Sequence, residues 1–359
     1  MYFSMMILIF CLNRGGYCSR LYLCQNVSSN NNSNTDVATN SGVKAAKEYS
    51  KFLIRLYGGK VLDEDSPMIV LSRESQALFY YEMGVNSQGP KLLGAFKDGR
   101  LEEFIESHTL TPEDMLTGID GGREIRAQVA RRLARYHHIR QSIPLSTRRL
   151  AHYEGFEAFY QMYDTEDGRA TFKRGCENAG FDTEWISRYD WQKEIAWLKE
   201  TEPKIATRDV MCNNDMKMDN CLVRNTPDKL GERIVLIDYE ISSMNPRGSD
   251  IGHHFAMWTI DFTNKGGSFM SKYDYPSEDM RREFVIEYLK ETKKVADYEL
   301  EENGLDSVDH VMMEADFFGL KIIHFWISMG MMKKPELSAW LDESSAIGFL
   351  VSHSENNFS

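Results

Sequence analysis

The strongest constraint on the fold of this chain is the spacing of three polar residues, Asp215, Asn220 and Asp238. Asp215 precedes Asn220 by five positions, and Asp238 follows an apolar, β-branched run at 234–237. Two antiparallel strands, at 221–224 and 234–237, would place Asn220 beside Asp238. A carboxylate could then orient a hydroxyl, while an amide oxygen and a second carboxylate could hold Mg²⁺, which prefers oxygen ligands. The spacing is therefore typical of a phosphoryl-transfer site.

Each part of this pattern also has a simpler explanation. Asp and Asn are common in turns, so Asp215 and Asn220 could belong to a polar turn. Asp238 could cap the turn that follows its strand. A carboxylate at the end of a buried strand is nevertheless costly unless it is paired or bound to a metal. The combination of the three residues is what favours phosphoryl transfer.

Composition excludes some partners and compartments. The 359 residues carry a formal net charge of -12, which disfavours a nucleic-acid backbone as the partner. The six cysteines include no C-x-x-C pair, as expected for reduced thiols in a cytoplasmic protein. The apolar run at residues 1–12 has no basic region before it and is shorter than the roughly 20 residues of a membrane span. We expect this run to form the first β-strand rather than a secretory signal.

The pattern of apolar residues changes near residue 111. Strand patterns dominate before it, around a Ser/Asn-rich loop at 28–41 that we expect to be exposed. Thr111-Pro112 then predicts a helix start, with Thr as the cap and Pro in the first turn. The sequence predicts an α+β fold, with a lobe at 1–104 built on an antiparallel sheet and a mainly helical lobe at 105–359. Helices are predicted at 66–84, 123–139, 149–163, 170–180, 183–200, 277–303, 308–332 and 336–351.

The stretch from Ile237 to Phe255 carries a family resemblance. It runs I-D-Y-E-I-S-S-M-N-P-R-G-S-D-I-G-H-H-F and resembles the choline/ethanolamine kinase signature, an I-D-x-E, then S-S, then N-x-R-G-x-D-I-G-x-H-F. Arg55-Leu-Tyr-Gly58 is similar to that family's R-L-Y-G strand, whose Arg takes the place of the kinase ATP lysine. The resemblance covers roughly residues 13–262. It implies a protein-kinase-like bilobal fold and a kinase that uses ATP and Mg²⁺.

The resemblance also implies roles for the three residues of the opening pattern. Asp215 would accept or orient the proton of the substrate hydroxyl, and so would be the catalytic residue. Asn220 and Asp238 would hold Mg²⁺ on the phosphates of ATP, and Glu240 would serve a second metal ion.

A second group of matching residues would bind the nucleotide and the acceptor. Glycines at 15 and 16 resemble a phosphate loop, where backbone N–H groups can approach phosphates. Arg55 would supply a fixed positive charge, and Glu74 would pair with it. The implied ATP-binding residues are Gly15, Gly16, Arg55, Glu74, Asp98, Gly99, Arg100, Leu101, Glu102, Glu103, Phe104 and Lys217. The implied acceptor-binding residues are Trp258, Phe262 and Trp326.

Some positions depart from the family pattern. Asn213 stands where the family usually has His before Asn-Asp, and Lys217 stands where it usually has Gln. Met257 replaces the Glu that precedes Trp258, and Phe262 replaces a Tyr. A quaternary ammonium is usually held by aromatic faces and a carboxylate, so these changes alter the expected acceptor pocket.

The sequence therefore predicts a kinase for the hydroxyl of choline, ethanolamine or both, which is the first step of CDP-choline or CDP-ethanolamine phospholipid synthesis. One alternative is a catalytically degenerate family member that binds nucleotide, motivated by Asn213 and Met257. Another is a kinase for a different small alcohol or amino alcohol. The resemblance further suggests a homodimer.

Overall fold

The computed structural model describes residues 7–12, 19–26, 49–57, 71–140, 152–178, 190–259 and 273–333. These residues fall into two compact units, one within 1–106 and the other within 107–359. Each unit has its own antiparallel strands and its own buried core. No helix in the described ranges combines the length and the apolar character that crossing a membrane requires.

The N-terminal unit contains a five-stranded antiparallel sheet with the order β1-β2-β3-β5-β4. Its strands are β1 (Ile7–Leu12), β2 (Ser19–Asn26), β3 (Lys51–Tyr57), β4 (Leu92–Phe96) and β5 (Gly99–Glu103). The first strand thus lies within the apolar run at the start of the chain, as predicted. A Cβ atom on Gly99 would lie 2.3 Å from the backbone oxygen of Arg55, so glycine is required where β5 begins beside β3.

Helix α1 (Arg73–Val85) packs against β4 in the same unit. Ser72 caps it, because its hydroxyl accepts the backbone N–H of Ser75 at 3.2 Å. Phe79, Tyr80 and Met83 are buried on one face of the helix. Residues 66–70 of the predicted helix lie outside the described residues.

The C-terminal unit combines helices with two small antiparallel sheets. One sheet pairs β7 (Asp209–Cys212) with β10 (Ser243–Pro246), and the other has the order β6-β8-β9, with β6 (Ser107–Thr109), β8 (Cys221–Arg224) and β9 (Ile234–Leu236). The helices are α2 (Pro112–Leu116), α3 (Arg123–His137), α4 (His152–Tyr163), α5 (Glu166–Asn178), α6 (Trp191–Thr201), α7 (Arg247–Ala256), α8 (Glu278–Val295) and α9 (Val308–Lys333). The predicted helix at 336–351 lies outside the described residues.

Helices α7 and α9 pack closely against each other. A Cβ atom on Gly252 would lie 2.3 Å from the backbone oxygen of Ala315 and 2.4 Å from the backbone nitrogen of Gly319. The glycine of the D-I-G run is therefore explained by close helix packing. At the start of α7, the fully buried Arg247 pairs with Glu314 of α9 at 2.8 Å. Both contacts hold α7 in place.

The helix predicted at 277–303 is shorter in the structure, where it is α8. The helix ends at Val295, and Ala296 has an extended backbone with ψ 151°. Farther along, Asp306 accepts the backbone N–H of Glu301 at 2.9 Å and pairs with Arg208 at 2.6 Å. These polar contacts stabilise a loop after 296, although the apolar pattern of the segment is typical of a helix.

Candidate active site

The loop that connects β7 to β8 carries Asp215, Lys217 and Asn220. The side-chain amide of Asn220, at the end of a short 3-10 helix (Met218–Asn220), donates to the backbone oxygen of Asp215 at 2.8 Å and to its Oδ2 at 2.9 Å. Lys217 Nζ lies 2.8 Å from the same Oδ2. The side chain of Asp215 remains 17% exposed, so its carboxylate is held rigidly and can still be reached by a ligand.

The charges of this loop favour an ionised Asp215. Burial opposes ionisation, but the positive charge of Lys217 and its hydrogen bond keep the pKa of Asp215 below the usual value. Burial would likewise lower the pKa of Lys217, yet the carboxylates of Asp215 and Asp238 raise it above the usual value. At neutral pH the loop therefore presents a carboxylate and an ammonium group side by side.

Asp238 lies directly beyond the predicted strand pair. Strands β8 and β9 pair antiparallel, with Cys221 opposite Leu236, and the backbone N–H of Ile237 donates to the oxygen of Asn220 at 2.9 Å. Asp238 follows with φ 64°, a left-handed conformation that a non-glycine residue adopts only when its surroundings compensate. The strand pairing therefore brings Asn220 and Asp238 together, as the sequence predicts.

The oxygens of Asn220 and Asp238 suit a divalent cation. Oδ1 of Asp238 is buried and has no hydrogen-bond partner among the described residues. Because the amide nitrogen of Asn220 is used by Asp215, its Oδ1 is the atom left to face a ligand. An unpaired buried carboxylate oxygen is costly, and a hard cation such as Mg²⁺ would satisfy it. Glu240, which is 7% exposed, lies two residues farther along.

Asp250 of α7 holds the backbone of the loop between β7 and β8. Its carboxylate accepts the backbone N–H of Asn213 at 2.6 Å and that of Asn214 at 2.8 Å. His137 Nε2 lies 3.1 Å from the same carboxylate, and Nδ1 of His137 lies 2.8 Å from the hydroxyl of Tyr288. The family signature includes Asp250, but the sequence patterns give no indication that His137 and Tyr288 complete its support.

Two histidines of α7 lie beneath the same loop. His253 is 2% exposed, and burial lowers its pKa although the charge of Asp215 opposes this. His254 is fully buried, stacks on Phe284 with a centroid separation of 5.3 Å, and has a pKa lowered to about 4 by burial. Both rings favour the neutral form, so the positive charge next to Asp215 comes from Lys217.

In the N-terminal unit the structure corrects the predicted partner of Arg55. Arg55 Nε donates to Glu102 Oε1 at 2.8 Å, and Arg100 Nε donates to the same atom at 2.7 Å. Arg55 and Arg100 stand opposite each other on β3 and β5, and Glu102 is two residues from Arg100 on the same face. Glu74 instead lies exposed in the first turn of α1. The helix N-terminus and the Ser72 hydroxyl lower its pKa, so it needs no partner on the sheet.

The remaining predicted nucleotide residues are spread along the β4–β5 hairpin. The backbone oxygen of Asp98 accepts the N–H of Tyr57 at 2.9 Å, and Arg100 is fully buried with its guanidinium 3.7 Å from the ring centre of Tyr80. Glu103 accepts the backbone N–H of Lys91 at 3.2 Å. Leu101 lies on β5 and Phe104 follows it. Gly15 and Gly16 lie outside the described residues.

The predicted acceptor residues are only partly described. Trp258 lies in a short 3-10 helix (Met257–Thr259) directly after α7 and is 2% exposed. Its indole nitrogen is buried and has no hydrogen-bond partner in the described part of the chain. Trp326 belongs to α9, and Phe262 lies outside the described residues. The structure thus brings together the catalytic and metal candidates, and it does not test the acceptor candidates as a group.

The fold is similar to that of two solved proteins. It is similar to the crystal structure of a choline kinase from Cryptosporidium parvum, with a TM-score of 0.65, 19% identity, and coverage of 98% of this chain and 90% of that chain. It is also similar to the APH(2″)-IIa aminoglycoside phosphotransferase in its gentamicin complex, with a TM-score of 0.51, 11% identity, and coverage of 97% and 91%. The predicted protein-kinase-like α+β fold is confirmed.

The family is shown by the sequence comparisons. The choline/ethanolamine kinase model matches residues 20–354, so the chain belongs to the choline/ethanolamine kinase family. The mouse protein named choline/ethanolamine kinase is 25% identical over 281 residues, which are 78% of this chain and 65% of the relative. The chain therefore spans about two thirds of the length of the curated relatives that it matches.

Proposed function

We propose that the protein is a kinase that transfers the γ-phosphoryl group of ATP to the hydroxyl of choline, ethanolamine or both. The observation that carries the proposal is the Asp215 carboxylate, held by Asn220 and Lys217 beside a buried, unpaired oxygen of Asp238. Membership of the choline/ethanolamine kinase family supports this choice of acceptor.

The side chains divide the chemistry among them. Asp215 orients the acceptor hydroxyl and takes its proton as the new O–P bond forms and the bond to the leaving ADP oxygen breaks. Asn220 and Asp238 would hold Mg²⁺, with Glu240 as a candidate for a second ion. Bound there, the metal ion neutralises the charge that develops on the phosphates. Arg55, kept in place by Glu102, is the proposed phosphate contact of the N-terminal unit.

The proposal also covers the cellular compartment and the oligomeric state of the protein. Buried, free thiols at Cys24, Cys212 and Cys221 support a reducing compartment such as the cytoplasm. A homodimer is proposed from the family resemblance alone.

An initial-rate assay with purified protein, ATP and Mg²⁺ tests the proposal, with choline and ethanolamine supplied separately. We expect turnover of at least one of them, above the rate of ATP hydrolysis without acceptor. A folded protein that binds nucleotide and phosphorylates neither amino alcohol would favour the degenerate alternative. Turnover confined to other alcohols would keep the kinase chemistry and change the acceptor.

A degenerate, nucleotide-binding protein remains the second candidate because Asn213 and Met257 depart from the family pattern. Met257 is 1% exposed and packs at the end of α7, which makes the surroundings of Trp258 less acidic than a Glu would. The intact hydrogen bonds around Asp215 favour the active kinase over this candidate.

A further inference from the structure

We infer that Asn213 is a positioning residue that fixes the backbone of Asp215 relative to the backbone of Asp238; this inference rests on the proposed function. Asn213 stands in the loop between β7 and β8 and is fully buried. Its side chain bonds to the main chain of Asp215 and Asp238 rather than to their carboxylates. Its importance comes from what its two amide atoms join.

The side-chain amide of Asn213 bridges the main chain at Asp215 and at Asp238, which are 23 residues apart in the sequence. Its Oδ1 accepts the backbone N–H of Asp215 at 3.1 Å, and its Nδ2 donates to the backbone oxygen of Asp238 at 3.1 Å. One planar group therefore contacts the main chain of both the proposed catalytic residue and a proposed metal ligand. A change at this position acts on both at once.

The bridge lies where the backbone is least favourable. Asn214 has φ 65° and Asp238 has φ 64°, and each adjoins an atom that Asn213 holds. Left-handed conformations of non-glycine residues persist only where neighbouring contacts compensate for them. Asn214 is also held by Ser243 at 2.9 Å, whereas the Asp238 carbonyl is held through Asn213. Loss of the donor at 213 would therefore mainly release Asp238.

This geometry explains how the chain can tolerate Asn where its family usually has His. A neutral imidazole has one N–H donor and one nitrogen acceptor, and an Asn amide also offers a donor and an acceptor. The requirement at position 213 is therefore a donor toward Asp238 combined with an acceptor toward Asp215, rather than a titrating ring.

Four variants separate this role from simple loss of stability. Asn213→Ala removes both bonds, Asn213→Asp keeps the acceptor and removes the donor, and Asn213→His returns a donor and an acceptor. The control is Gln128→Ala. Gln128 is another buried amide of the same unit, which donates to Glu124 at 3.1 Å and accepts the backbone N–H of Arg233 at 2.7 Å, remote from the loop.

The measurements are kcat with the better amino alcohol, the affinity of the ADP complex for Mn²⁺, and the thermal midpoint. We expect Asn213→Ala to lower kcat and Mn²⁺ affinity by about 10- to 100-fold each, as is typical for groups that orient metal ligands. Asn213→Asp should weaken Mn²⁺ binding at least as much, and Asn213→His should recover most of both losses. Gln128→Ala should lower the thermal midpoint and leave kcat and Mn²⁺ affinity nearly unchanged.

Equal effects of Asn213→Ala and Gln128→Ala on kcat and Mn²⁺ affinity would overturn the inference. If Asn213→Ala does not fold, the same decision rests on Asn213→Asp against Asn213→His, and equal values for these two would overturn it.

A wild-type protein that turns over no acceptor would sink the proposed function and leave this inference open to a separate decision. Amide hydrogen exchange of the peptide that contains Asp215 provides it. The bridge is supported if this amide stays protected in Asn213→Asp and is less protected in Asn213→Ala. If Asn213→Ala is unfolded, Asn213→Val takes its place. Identical exchange in the two variants that are compared contradicts the bridge.

Discussion

Glu102 lies within strand β5 and Asp238 follows strand β9, and the surroundings of these two acidic residues differ. The Glu102 side chain is 3% exposed and accepts from Arg55 at 2.8 Å and Arg100 at 2.7 Å. Oδ1 of Asp238 is buried without a partner in the described part of the chain. Oε1 of Glu102 is paired twice within the sheet, whereas Oδ1 of Asp238 is the oxygen that the proposed cation would complete.

The largest expected effect is on the chemistry at Asp215. Asp215→Asn keeps the size of the side chain but removes the proton acceptor, so kcat should fall by about 10²- to 10⁴-fold while the protein stays folded. Initial rates at saturating ATP and acceptor measure this. Asp219→Asn, in the same loop and with no assigned role, is the matched control. Comparable rates for Asp215→Asn and the control would remove Asp215 from the mechanism.

Next in size is the effect of Asp238→Asn, which sharpens the comparison because activity and stability should separate. Neutralising this carboxylate removes the cost of burying Oδ1 without a partner and also removes an attraction to Lys217, so the free energy of unfolding should change little. Turnover should fall by about 10²-fold or more, because the metal ion that neutralises the phosphates would lose one of its protein ligands. Urea unfolding and initial rates are the two measurements. A large loss of stability would show that Asp238 has a structural partner.

Glu102→Gln, unlike Asp238→Asn, should lower the stability of the protein. Removing this charge takes a buried carboxylate partner from two buried or nearly buried guanidinium groups, so the free energy of unfolding should fall by up to roughly 3–5 kcal/mol. Its measurement is urea unfolding at pH 7. A fall no larger than that of an ordinary surface variant would contradict the assignment of Glu102 to the architecture of the sheet.

The pairing of Glu102 with Arg55 and Arg100 predicts a pH dependence of stability. Burial raises the pKa of Glu102, but Arg55 and Arg100 outweigh it and lower the pKa below its ordinary value of 4.5. A lowered folded-state pKa gives stability that is present above pH 4.5 and is lost as pH falls through the folded-state value. The difference in unfolding free energy between wild type and Glu102→Gln should therefore shrink below pH 4.5. A difference that is independent of pH across this range would contradict the charge pairing.

The smallest effect is expected for Glu74→Gln. Glu74 is exposed and is stabilised by its own helix terminus, so its replacement should change the thermal midpoint and kcat far less than Glu102→Gln does. A loss of activity that matches Glu102→Gln would restore the pairing with Arg55 that the sequence predicts.

The sequence predicts contacts between neighbouring segments well, and it predicts less well which side chains pair across the fold. The D-x-x-x-x-N spacing and the apolar run at 234–237 predict the strand pair and the meeting of Asn220 with Asp238, because both follow from short-range pairing. The partner of Arg55 is set by strand register, and choosing between Glu74 and Glu102 requires the β3–β5 alignment. Support from His137 and Tyr288 depends on packing between distant helices, for which no periodic pattern exists.

The most direct test is a Mn²⁺ titration of the ADP complex, followed by electron paramagnetic resonance, for wild type and Asp238→Asn. The account predicts a bound ion in the wild type and an affinity lowered by at least about 100-fold in Asp238→Asn, because losing a ligand should cost no less than losing a partner that orients one. Equal Mn²⁺ affinity in the two proteins would show that the unpaired oxygen of Asp238 is not completed by a metal ion.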